Sequence, residues 1–117
     1  MEYRIENISD CRIVYLKGDL DLYTTVKFRE IIGEDGEHSE SNYIINLKDV
    51  GYIDSCGIGA LLFFFSTVKK KNYEFYLTCL GESVFEVLKL NQLIKFFPVS
   101  ESVSSALFEM SAKERVK

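Results

Sequence analysis

The chain of 117 residues is poor in the side chains on which most small catalytic and metal centres are built. It has one histidine, His38, no tryptophan and a single proline, Pro98. A histidine-rich metal site or a Ser-His-Asp triad would therefore rest on one imidazole. That imidazole lies in the polar, glycine-bearing run from Gly33 to Asn42, which reads as an exposed loop. The three cysteines, Cys11, Cys56 and Cys79, are odd in number and show no CxxC spacing, which argues against a disulfide framework and for a reducing compartment. Positive charge is scarce too. Fourteen basic residues against eighteen acidic ones leave a net charge of −4. Such a balance lacks the electrostatic footprint of phosphate-backbone binding, so nucleic acid is not expected as a partner. No run approaches the roughly 20 apolar residues of a membrane span, and Met1 to Asp10 is too charged for a signal peptide. A cytoplasmic protein without a membrane span is the reading these absences leave.

What is present is core. Hydrophobic residues make up 47% of the chain and aromatics 14%, ample for one domain over 1–117 with a core from about 3 to 112. Tyr3 to Asn7 and Cys11 to Lys17 alternate as strands about a turn at Ser9-Asp10. A helix is predicted from about Thr24 to Ile32, with Asp21 or Thr24 as N-cap, followed after the polar loop by a buried strand over Tyr43 to Leu47. Gly57 to about Lys71 reads as a helix ending in three lysines, which suit the partial negative charge of a helix C-terminus. Its apolar residues run nearly all the way round, so burying Phe63, Phe64 and Phe65 together needs both a sheet and a flanking helix. A strand over Glu74 to Cys79, a helix over Ser83 to Asn91, a strand over Ile94 to Val99 and a helix from Ser102 to about Lys113 complete the series. In the last, Val103, Ala106, Leu107 and Met110 form the apolar stripe. Cys11 and Cys79 fall within strands as core residues.

This order predicts an α/β domain: a mixed sheet of four to five strands packed against about four helices. Parallel pairing by right-handed crossover brings two strand-to-helix junctions, Gly18 to Thr24 and Gly51 to Gly59, to the carboxyl ends of neighbouring strands. Open α/β sheets place their sites there.

At the second junction Asp54 and Ser55 stand directly ahead of a helix. The plain reading makes Ser55 the N-cap and nothing more. A sharper one starts from Gly57 and Gly59, which are costly in a helix and leave its first N–H groups uncovered, open to something that approaches closely. A phosphoryl group on Ser55 would sit at a helix N-terminus, yet beside Asp54 and near Asp19 and Asp21. The added charge of about −1.5 to −2 would disturb a partner docked on this acidic surface. The glycines spell no nucleotide loop, since GIG lacks the Rossmann spacing and no Gly-Lys-Ser/Thr occurs. A magnesium site on the aspartates is opposed by the alternation of Asp19 and Asp21 along the chain. A reactive Cys56 is opposed by its acidic neighbours, which favour a packing role.

Asp54-Ser55-Cys56-Gly57-Ile58-Gly59 resembles the D-S-[ST]-G-[LI]-G signature of the STAS domain in bacterial anti-sigma factor antagonists. Gly18-Asp19-Leu20-Asp21 is similar to the family's G-[ED]-[LI]-D, and Asn46-Leu47-Lys48-Asp49-Val50 to its L-x-[DE]-[VL]. The three motifs lie in the expected order over nearly the whole chain. The resemblance implies a STAS-type domain with no cofactor, no metal and no catalytic residue of its own. It makes Ser55 the phosphoacceptor. The partner-binding surface it implies draws on Asp19, Asp21, Thr24, Asp54, Cys56, Gly57, Ile58 and Gly59. The implied partners are an anti-sigma factor serine kinase, bound by the unphosphorylated form so that the sigma factor is freed, and a serine phosphatase that reverses the modification. Two departures stand out: Cys56 replaces a second hydroxyl residue, and Asn91-Gln92-Leu93 replaces a common [ST]-G-L turn. Asn91 is the better suited of its residues to a left-handed conformation. Two other readings are a constitutive STAS scaffold in a signalling or transport assembly, docking through Phe63 to Phe65, and a small enzyme using Cys56 or the aspartates.

Overall fold

The computed structural model describes residues 1–31, 33 and 40–116, so that Ile32 and His38, with most of its loop, lie outside the described residues. Among these, strands β1 (Glu2–Ile8), β2 (Cys11–Lys17), β3 (Asn42–Asp49), β4 (Phe75–Thr78) and β5 (Val99–Ser100) form one sheet in sequence order. Helices α1 (Thr25–Ile31), α2 (Ser55–Lys70), α3 (Glu82–Leu90) and α4 (Val103–Val116) complete it. β1 pairs with β2 antiparallel, Ile8 opposite Cys11, and every later neighbour is parallel. The fold is thus a mixed sheet of five strands with four helices, as the element order implied.

The central strands are apolar on both faces because both faces are covered. Val14, Leu16, Tyr43, Ile45, Leu47, Phe75 and Leu77 meet Phe28 of α1, Leu61 and Phe64 of α2 and Val84 and Leu88 of α3 in the main core. Their neighbours along the strands, Ile13, Ile44 and Tyr76, point the other way, to Ala106 and Met110 of α4. That split reflects the two-residue period of a strand. α4 starts where Ser102 Oγ accepts the Ser105 N–H at 3.0 Å.

The three phenylalanines of α2 take three different fates. Phe64 packs edge-on against Phe28, Tyr43 and Phe75. Phe65 meets Phe75, Phe96 and Phe97, so the chain after α3 supplies the second wall. Phe63 remains 53% exposed.

Two expectations are corrected here. The strand predicted over Ile94 to Val99 shrinks to Val99–Ser100. The Phe96 and Phe97 N–H groups both donate to Leu93 O at 3.0 Å, closing a turn that buries Phe97, and Pro98 has no N–H for a ladder. Pairing therefore begins at Pro98 O, which accepts the Leu77 N–H at 2.9 Å. Cys79 is not a core strand residue. It follows β4, half-buried, in the left-handed region at φ 58°. Cys11, by contrast, is buried on the α4 side, and burial together with Asp10 pushes its thiol up to about 12.

Candidate functional site

The sheet continues past its regular strands at the two junctions. Gly18 N–H donates to Asp49 O and Leu20 N–H to Tyr52 O at 2.9 Å, Asp54 N–H donates to Leu20 O, and Leu20 and Ile53 form a parallel bridge. The buried side chains of Leu20 and Ile53 anchor both segments in the main core. The chain thus holds Asp19 to Thr24 beside Tyr52 to Gly59, as parallel pairing of β2 and β3 implied.

Asp54, not Ser55, is the N-cap of α2. Its Oδ1 accepts the Cys56 and Gly57 N–H groups at 2.9 and 3.0 Å, while Oδ2 accepts the Leu22 N–H at 3.0 Å. One carboxylate therefore caps the helix and fastens the first junction to it. Ser55 is displaced from the expected capping role because the aspartate one residue earlier already has the extended backbone of a cap. It stands as the first residue of the helix, exposed. The N–H groups of Cys56 and Gly57, expected to lie open to an approaching anion, are already taken by Asp54.

The two glycines separate in role. A Cβ on Gly57 would collide with Leu20 O and come within 2.9 Å of Ile53 Cγ1, so what approaches closely there is the first junction itself. Nothing lies within 4 Å of a Cβ built on Gly59, which is exposed. Gly57 and Ile58 are buried. Cys56 is half-buried.

At the first junction Asp21 Oδ1 accepts the Tyr23 and Thr24 N–H groups at 2.9 and 3.1 Å, and Thr24 Oγ1 donates to Asp19 O at 2.6 Å. Asp21 O accepts the Thr25 N–H, which starts α1. Asp21 and Thr24 are therefore local scaffolding, with Asp19 exposed beside them. Among the described residues, no three histidine, cysteine or acidic side chains gather as a metal site. The turn they shape presents Leu22 and Tyr23, with Val26 one helical turn on, all exposed. Leu22 and Tyr23 were missed in the sequence, and Val26, which helical spacing put on one face with the buried Phe28 and Ile31, is exposed instead. The signal for Leu22 and Tyr23 was two large apolar residues set between capping residues, where burial is not available.

A STAS domain family model matches residues 2–106. The chain belongs to the STAS domain family. An anti-sigma F factor antagonist of Paenibacillus polymyxa is 25% identical over 111 residues, covering 94% of this chain and 95% of the relative. Two solved structures share the STAS fold. A putative anti-sigma factor antagonist of Thermotoga maritima superposes with a TM-score of 0.84 at 20% identity, covering 92% of each chain. SpoIIAA in its unphosphorylated form gives 0.79 at 17% identity over 95% of this chain and 97% of its own. The relatives are regulatory proteins named for what they antagonise, and this STAS domain carries no helix, among the described residues, long and apolar enough to cross a membrane.

At the turn after α3 the left-handed residue is not the asparagine. Asn91 has φ −93° and Gln92 takes φ 59°. Asn91 instead returns its side-chain amide to Val87 O at 2.8 Å.

Proposed function

We propose that this protein is an anti-sigma factor antagonist of the cytoplasm, whose unphosphorylated form binds an anti-sigma serine kinase and frees the sigma factor, and which phosphorylation on Ser55 switches off. The observation that carries the proposal is the placement of Ser55: exposed, first in α2, and next to an aspartate whose two oxygens already hold three backbone N–H groups. A phosphoryl group there adds charge of about −1.5 to −2 beside Asp54 without the two N–H groups that would otherwise receive it. Repulsion and desolvation then act against any partner seated across both junctions. The contact surface comprises Asp19, Ser55 and Gly59 with the exposed Leu22, Tyr23 and Val26, while Asp21, Thr24, Asp54, Gly57 and Ile58 hold that surface in shape and half-buried Cys56 lies at its edge. Open space over Gly59 leaves room for a flat approach. The protein is the substrate of its kinase and of a serine phosphatase, and performs no chemistry itself.

The test is incubation with a purified anti-sigma serine kinase and ATP followed by peptide mass spectrometry. Phosphate is expected on Ser55 and absent in Ser55→Ala. Phosphate on another residue, or none, overturns the switch.

The exposure of Phe63 favours a second reading, a constitutive docking module. Under it Phe63→Ala abolishes partner binding and Ser55→Asp leaves it intact.

A further inference from the structure

A hollow lies along the later part of α3 and the turn after it, and none of its lining residues belongs to the two junctions. Phe85 and Lys89 of α3, with Gln92, Ile94 and Lys95 of the following turn, enclose about 470 Å³. That size falls within the range of about 300 to 1,000 Å³ of small-molecule sites. Phe85, 39% exposed, and half-buried Ile94 give it an apolar floor. Lys89 follows Phe85 by one helical turn and so shares its face. Both lysines are exposed, and among the described residues neither joins an ion pair. Two unpaired cations over an apolar floor run against the bias of a chain with a net charge of −4.

Two further observations give the hollow a direction. Gln92 stands in the left-handed region at φ 59°, a conformation that costs a non-glycine residue about 1 to 2 kcal/mol, and it lines the hollow. Phe85 also walls a second hollow, lined by Cys79, Leu80, Val99, Ser100 and Glu101. The carboxylate of Glu101 repels an anion from that side, and Lys89 and Lys95 attract it to the other.

We propose that this hollow binds a small anionic amphiphile, a carboxylate on a short hydrocarbon chain. The tail lies on Phe85 and Ile94, the carboxylate sits between Lys89 and Lys95, and the Gln92 amide donates to it. The site is separate from the phosphoacceptor and does not depend on it.

The probe is decanoate, kept below its micelle-forming concentration and titrated into the full chain while amide and side-chain NMR signals are followed. Saturable shifts are expected at Phe85, Gln92 and Ile94. A Lys89→Gln/Lys95→Gln double variant, at two exposed positions, is expected to keep the native spectrum and to bind about tenfold more weakly or worse. Decyltrimethylammonium, with the same tail and the opposite charge, is expected to leave these signals in place. The proposal is overturned if the shifts fail to saturate or spread equally over Phe63, Phe96 and Phe108. It is also overturned if the cation binds as well, if the double variant binds unchanged, or if only an acidic peptide and not decanoate occupies the hollow.

Discussion

The starts of α2 and α3 leave the sheet at the same end, from neighbouring parallel strands, yet they are built in opposite ways. At α2 a carboxylate caps the helix, fastens the first junction and sits over a glycine packed against the Leu20 carbonyl. At α3 the cap is Gly81, whose backbone is extended and which has no side chain to close the helix end. Left-handed residues flank that helix on both sides, Cys79 before it and Gln92 after it. In the first region one carboxylate holds the Leu22, Cys56 and Gly57 N–H groups, which gives the proposed partner surface a fixed backbone. Towards the other end of α3, Lys89 and Lys95 stand exposed and, among the described residues, unpaired beside Phe85 and Ile94, the mix of apolar floor and polar rim that suits a small-molecule hollow.

The contrast breaks most visibly at Gly57. Gly57→Ala is expected to cost about 3 kcal/mol or more, because its Cβ meets backbone that cannot step aside, while Gly59→Ala is expected to gain up to about 1 kcal/mol of helix propensity. Urea denaturation midpoints measure both, and equal effects would show that the close approach at Leu20 does not constrain the helix. Asp54→Ala should lose about 2 kcal/mol, since it removes a cap and strands the Leu22 N–H. At the α3 start, Gly81→Ser should add only a few tenths of a kcal/mol, because glycine is already a tolerable cap. Thermal melts of the two variants thus sharpen the asymmetry. Gln92→Gly should stabilise by about 1 kcal/mol through release of the left-handed strain, while weakening decanoate binding. The smallest effect at neutral pH concerns the thiols. With its pKa pushed up to about 12, Cys11 is protonated at neutral pH and should alkylate more slowly than Cys56 and Cys79. The unfolded chain releases that proton near the ordinary thiol value of about 9, so stability should fall as pH rises from there towards about 12, and Cys11→Ala should flatten the fall.

Much of this was legible in the residues. Alternation in Cys11 to Lys17 placed β2 as a strand, and the crossover rule placed the two junctions together. What sequence could not resolve was competition between adjacent groups. Asp54 and Ser55 are both good caps, and only the tie to Leu22, 32 residues away in sequence, settles which one takes the position. The glycine pair looked alike until Leu20 O was found against one of them. Ile94 to Val99 carried strand composition, yet Phe97 gains more from the core than a ladder offers, and Pro98 cannot pair through nitrogen. The asparagine best suited to a left-handed turn was passed over because its side chain binds Val87 O instead.

The central claim is that charge on Ser55 undoes partner binding on a scaffold that itself stays unchanged. Titration calorimetry of a purified anti-sigma serine kinase against the unmodified protein, the Ser55→Ala variant and the protein phosphorylated on Ser55 tests it directly. The alanine variant is expected to bind within about twofold of the unmodified protein and the phosphorylated form at least about tenfold more weakly, with unchanged melting temperatures in all three. Equal affinity of the phosphorylated and unmodified forms would contradict it.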